Sequence, residues 1–202
     1  KKTQNSKINV GYKFGLQFLN SKNGRKFVSN LKNKITFGDY KLADIPNTCV
    51  SAVKAVRDLK LNYITIHISS GLKALKAVKR VSGKTKLVGV TILTSLDNKS
   101  LKEIGFDKNL KKLVQHQARL ATKAKLDAIV CSPHEIKIVR RVFKKEIITP
   151  GIRLINDKKG DQKRVMTPKE AYKNGSDWLV IGRPITKGNI KKNLQNLINH
   201  LR

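Results

Sequence analysis

The strongest constraint on this chain is an alternation. Seven short apolar or β-branched runs occur along it: Tyr12–Phe14, Ile35–Phe37, Tyr63–Ile68, Leu87–Leu93, Ala128–Cys131, Ile147–Thr149 and Trp178–Ile181. Between them lie stretches with apolar residues three and four apart, such as Val50, Val53 and Val56, or Leu110, Leu113 and Val114. The first pattern suits a strand buried on both faces, and the second suits an amphipathic helix. Local start signals agree. Thr167-Pro168 and Ser132-Pro133 each place an N-capping hydroxyl before a proline, which fits the first turn of a helix. Repeated strand-then-helix units imply a parallel sheet covered by helices. Periodicity leaves two closures open, a doubly wound open sheet and a (β/α)8 barrel. No Gly-x-Gly-x-x-Gly loop follows any strand, so a dinucleotide site has no support. The polar residues fall instead at the carboxyl ends of strands, where barrel enzymes build their sites. These are Lys13, Asp39 to Asp44, Thr94 to Ser95, Arg153 and Arg183.

At 202 residues the chain suits one domain, residues 1–202, with a core that needs no staples. The basic start has no apolar run after it, and no stretch approaches the roughly 18 apolar residues of a membrane span. Cys49 and Cys131 lack the close spacing of a metal or disulfide framework, which suggests a reducing, cytoplasmic setting. Charge is the unusual quantity: Lys+Arg 44 against Asp+Glu 13 gives +31. Such an excess points to a polyanion. Its distribution argues against a nucleic-acid partner, because the lysines are scattered over helical stretches and aromatic residues are not interleaved with them. The excess reads as solvated faces in a Lys- and Asn-rich composition. A catalytically degenerate barrel that binds polyanions is the alternative from another class, separable by salt-dependent binding without turnover.

The most informative segment is Phe37-Gly38-Asp39-Tyr40-Lys41-Leu42-Ala43-Asp44-Ile45-Pro46-Asn47-Thr48. Side chains two apart on a strand share a face, so Asp39 and Lys41 are expected to point together to the interior. Two ionised groups there are costly unless each finds a partner or a ligand. Asp44 adds a second carboxylate just past the strand. The four histidines, His67, His116, His134 and His200, have no ligand spacing with Cys, Asp or Glu, and no metal site is expected. His67, at a strand end, is read first as a structural histidine and second as one lining the site. Ser69-Ser70-Gly71 lacks the glycine pattern of a nucleophile elbow, and Trp178 is expected in the core.

This segment resembles the Asp-x-Lys-x-x-Asp-Ile-Pro-Asn-Thr signature of the orotidine 5′-phosphate decarboxylase family. Further stretches resemble that family in order: Tyr12 to Leu16, Val90 to Ser95, Val130 to Pro133, Pro150 to Arg153, Gly160 to Pro168 and Ile181 to Thr186. The resemblance implies a cofactor-free (β/α)8 barrel that converts orotidine 5′-monophosphate to uridine 5′-monophosphate. Lys41 would protonate C6 as carbon dioxide leaves, and Asp39 would orient Lys41 and crowd the substrate carboxylate. Lys13 would join the array and contact the ribose. Asp44 and Thr48 would reach a neighbouring subunit's site, implying a homodimer with shared active sites. Arg153, Gln162, Gly182 and Arg183 would hold the 5′-phosphate, and Thr94 would meet the uracil edge. A magnesium-dependent sugar-acid-phosphate decarboxylase of the same superfamily would share Asp39, Lys41 and Asp44. The Ile45 to Thr48 run and the Asp161-Gln162 pair favour the nucleotide enzyme.

Three departures stand out. Ala43 replaces a histidine common in the family, and Leu154 replaces a proline after Gly-Ile-Arg. The family's first strand, with its ribose-binding Asp, has no counterpart before Tyr12. The expectation is a barrel lacking its first strand, with low stability and weak activity. Adding a Leu-Asp-bearing strand and measuring stability and rate would check it.

Overall fold

In the computed structural model the described residues are 8–154 and 164–201. They contain seven strands: β1 (Gly11–Phe14), β2 (Ile35–Leu42), β3 (Tyr63–His67), β4 (Lys86–Val90), β5 (Ala128–Val130), β6 (Glu146–Thr149) and β7 (Trp178–Leu179). The helices are α1 (Leu16–Leu19), α2 (Gly24–Ser29), α3 (Pro46–Ala55), α4 (Gly71–Val81) and α5 (Asn98–Glu103). They continue with α6 (Leu110–Lys123), α7 (Ile136–Val142), α8 (Pro168–Lys173), α9 (Arg183–Thr186) and α10 (Ile190–Leu201). Every expected run carries a strand, with shifted limits. β2 runs five residues beyond Phe37, β4 stops at Val90, and β7 is only two residues long. Trp178 is half-buried instead of sitting in the core.

The strand order is β1-β2-β3-β4-β5-β6-β7, so chain neighbours are sheet neighbours. The registered pairs β1–β2, β2–β3, β3–β4 and β6–β7 are all parallel. Parallel neighbours require crossovers, and helical segments lie between consecutive strands to supply them. A doubly wound open sheet reverses its order at a switch point, whereas a (β/α)8 barrel never does. The unreversed order selects the barrel class between the two closures that periodicity left open.

Packing divides the chain into two units. One comprises Gly11–Thr91 with Gln117–Ile129. Its core includes Ile64 and Ile66 of β3, Leu87 of β4, Leu75 of α4 and Leu126 just before β5, all fully buried. α4 buries Ala74, Leu75 and Val78 at spacings of one and three, and leaves Lys73 and Lys76 in solvent. Gly89 is needed where β4 passes this core, because a Cβ there would meet Leu126 Cδ1 at 2.7 Å and Ile68 Cγ1 at 2.8 Å. A second cluster, Leu19, Val28, Leu59 and Leu61, lies under Phe14, Tyr40 and Val56.

The other unit takes, of the described residues, 8–10, Ile92–His116, 130–154 and 164–201. Leu101, Ile136, Val139, Phe143, Ile147 and Ile152 are among its buried apolar residues. The expected helix starts are present here. Thr167 accepts from the Glu170 amide while the Glu170 side chain accepts from the Thr167 amide, a reciprocal cap with Pro168 at the first turn. Ser132 accepts from the His134 amide at 3.3 Å and opens a 3-10 turn, Pro133–Glu135, that runs into α7.

Candidate active site

The site is built on β2. Its regular pairing with β3 holds at Phe37↔Tyr63 and Gly38↔Ile64, then resumes only at Leu42↔Ile66. Four steps along β2 therefore face two along β3, so the residues between Gly38 and Leu42 form a bulge. Lys41 takes a left-handed backbone, φ 48°, inside it. The simple alternation expected for Asp39 and Lys41 does not hold across this stretch. Their side chains meet nonetheless: Lys41 Nζ donates to Asp39 Oδ2 at 2.8 Å.

Lys13, on β1, donates to the same Oδ2 at 2.8 Å. Two ammonium groups thus converge on one oxygen of a carboxylate whose residue is only 7% exposed. Burial alone pushes the Asp39 carboxyl up, but Lys13 and then Lys41 outweigh it and hold it below its ordinary value. The two lysine side chains keep 35% and 34% exposure. The arrangement is a buried, ionised carboxylate shared by two partly exposed cations. Such a set carries a net positive charge for an anionic ligand and N–H donors on each nitrogen.

Two further residues belong to this cluster. Thr65, on β3 and fully buried, accepts from the Lys41 amide at 2.7 Å and donates to Asp39 Oδ1 at 3.2 Å. Nothing in the motif pointed to it; the available signal was its position two before His67, on the same face of β3. His67 is half-buried at the end of β3. Burial, followed by the charge of Lys41, lowers its basicity, and Asp39 opposes this only in part. His67 thus lies within electrostatic reach of both Lys41 and Asp39.

The other expected residues fall elsewhere. Asp44 is exposed and accepts from the Ile45 amide at 2.7 Å. Thr48 is exposed in the first turn of α3. Neither joins the Asp39 cluster. Thr94, Arg153, Gly182 and Arg183 belong to the other unit. Arg153 is buried, follows Gly151 at φ 78°, and hydrogen-bonds through its backbone amide to Met166 O at 3.1 Å. Its Nη1 donates to Ile152 O at 2.8 Å. Gly182 precedes α9, with open space where a Cβ would stand, and Arg183 is exposed beside it. Gln162 lies outside the described residues. Thr94 is half-buried, and the carbonyl of its neighbour Leu93 accepts from Arg164 Nη2 at 2.9 Å. Arg164 also pairs with Glu135, 3% exposed, at 2.8 Å. That ion pair was not anticipated, because its members are distant in sequence and carry no motif. Glu135 Oε2 and Arg164 Nε find no partner among the described residues.

Among the described residues no group of three His, Cys, Asp or Glu could hold a metal ion, and no helix is long and apolar enough to cross a membrane.

The model of the orotidine 5′-phosphate decarboxylase / HUMPS family matches residues 4–193. The orotidine 5′-phosphate decarboxylase of Coxiella burnetii is 45% identical over 174 residues, covering 81% of this chain and 74% of that protein. That of the Wolbachia of Brugia malayi is 44% identical over 192 residues, covering 92% and 84%. Among solved structures, orotidine 5′-phosphate decarboxylase from Lactobacillus acidophilus is similar with a TM-score of 0.80 at 29% identity, covering 94% of this chain and 86% of that one.

Proposed function

Because this chain belongs to the orotidine 5′-phosphate decarboxylase / HUMPS family, we propose that it decarboxylates orotidine 5′-monophosphate to uridine 5′-monophosphate through Lys41. The observation that carries this reading is the convergence of Lys13 and Lys41 on one oxygen of buried Asp39. The bond from C6 to the carboxylate carbon breaks, its electron pair stays on C6, and carbon dioxide departs. Lys41 Nζ gives its proton to C6. Its ammonium also opposes the charge that develops on that carbon before the proton moves. Asp39 holds Lys41 in place and stands close to the departing carboxylate, an unfavourable pairing in the ground state that is relieved as the product becomes neutral. Lys13 offsets the charge of Asp39 and contacts the ribose.

In the same proposal Arg153, Gln162, Gly182 and Arg183 hold the 5′-phosphate, and Thr94 meets the uracil edge. Binding energy from the unreacting phosphate is then available at C6. Asp44 and Thr48 complete the site of a second copy in a homodimer; their exposure beside Ile45, itself 66% exposed, supports this. Residues 1–202 act as one decarboxylase domain in the cytoplasm. The buried, free state of Cys49 and Cys131 suits a reducing compartment.

The test is the loss of pyrimidine absorbance when the protein meets orotidine 5′-monophosphate, with and without added magnesium and with Lys41→Ala alongside. Turnover without metal that falls by roughly a thousandfold in the variant is expected. Turnover unaffected by Lys41→Ala would refute the assigned role, and a requirement for magnesium would favour the sugar-acid branch of the superfamily.

A further inference from the structure

At the bulge in β2 two polar groups need partners that the regular ladder and the two ammonium groups do not supply. The Lys41 amide sits at φ 48°, off the sheet register, and Asp39 Oδ1 is the carboxylate oxygen that neither ammonium touches. One hydroxyl serves both. Thr65 Oγ1 accepts from the Lys41 amide at 2.7 Å and donates its single proton to Asp39 Oδ1 at 3.2 Å. A hydroxyl has one donor and two acceptor sites, so no competing donation is available to it. Thr65 is 0% exposed, so its hydroxyl is shielded from water.

We infer that Thr65 is a positioning residue for this reaction: it locks the left-handed turn at Lys41 and the tilt of the Asp39 carboxylate through one buried hydroxyl. The inference rests on the proposed decarboxylation and extends it to a residue with no part in the signature motif. A left-handed lysine is strained. If its amide lost its acceptor, that part-buried donor would lose its hydrogen bond and the turn would relax. The Lys41 ammonium and the Asp39 carboxylate would then leave the relative geometry in which a proton reaches the reacting carbon. Loss of alignment lowers the chemical step far more than substrate binding.

Thr65→Val removes the hydroxyl at nearly constant volume, and Thr65→Ser keeps it. With orotidine 5′-monophosphate as substrate, valine is expected to lower kcat by on the order of tenfold to a hundredfold, with KM changed by less than about threefold. Serine is expected to restore kcat to within about threefold of the native chain. A second readout does not depend on turnover. Exchange of the Lys41 amide proton, followed by NMR, is expected to quicken at least about tenfold in Thr65→Val and not in Thr65→Ser. Thr65→Cys, a weaker hydrogen-bonding group, is expected to fall between them and serves if valine prevents folding. An unchanged kcat in Thr65→Val, a serine variant as impaired as valine, or an unchanged Lys41 exchange rate would overturn the inference. A native chain that folds without turning over would instead strike the proposed decarboxylation, and amide exchange alone would then decide the role of Thr65.

Discussion

Replacing Asp39 with Asn removes the charge that separates two cations. Lys13 Nζ and Lys41 Nζ each lie 2.8 Å from the same oxygen, so they are no farther apart than twice that, about 5.6 Å. At that distance their repulsion is about 3 kcal/mol with an effective dielectric of 20, and about 0.7 kcal/mol in water. Each lysine side chain is about one-third exposed, so the pair sits between those limits. Asparagine can still accept one hydrogen bond and no longer bears the desolvation cost of a carboxylate. The net expectation is a loss of about 1–2 kcal/mol at neutral pH and low salt, a drop in Tm of roughly 2–8 °C for a chain of this size. Adding Lys13→Met to Asp39→Asn returns the cluster to its original net charge, and at least half of the loss should be recovered. Thermal melts of the native chain, both single variants and the double variant complete the cycle. Repeating them in about 1 M salt should shrink the gap between Asp39→Asn and the native chain, because screening then acts over about 3 Å. An Asp39→Asn chain as stable as the native one would refute the electrostatic account. So would a double variant that recovers nothing.

Two further outcomes follow from the same structure. The Asp39 carboxyl is held below its ordinary value of 3.8, so its stabilising contribution is complete above that pH and is lost as the pH falls through the folded value. The stability gap between the native chain and Asp39→Asn should therefore stay level from pH 7 to 5 and narrow only below about pH 4; narrowing near neutrality would contradict it. Arg164→Met leaves the Glu135 carboxylate, 3% exposed, without its cation and should cost about 3–5 kcal/mol in urea unfolding, with Glu135→Gln costing less. A cost under about 1 kcal/mol would mean that the pair contributes little.

Much of the architecture is legible from spacing. Seven apolar runs became seven strands, and Thr167 and Ser132 open helical turns through their hydroxyls, because both features depend on contacts within a few residues. The pairing of Asp39 with Lys41 was legible too, although for an incomplete reason. Periodicity assumes an unbroken pleat, and the bulge opposite Thr65 is a property of two strands that neighbour each other in space.

Local pattern by itself determined the βα repeat, the charged pair on the second strand and the likeness of the motif to a decarboxylase signature. Only the tertiary structure decided that the strand order never reverses, that Lys13 and Lys41 share one oxygen of Asp39, and that Thr65 and the Glu135–Arg164 pair matter at all. The reason is range. Helix and strand propensities act over a few residues, whereas Lys13 and Asp39 are 26 residues apart in sequence and Glu135 and Arg164 are 29 apart. What brings them within hydrogen-bond distance is the burial of apolar faces elsewhere in the chain. No residue's identity announces which distant oxygen or nitrogen that burial will set beside it.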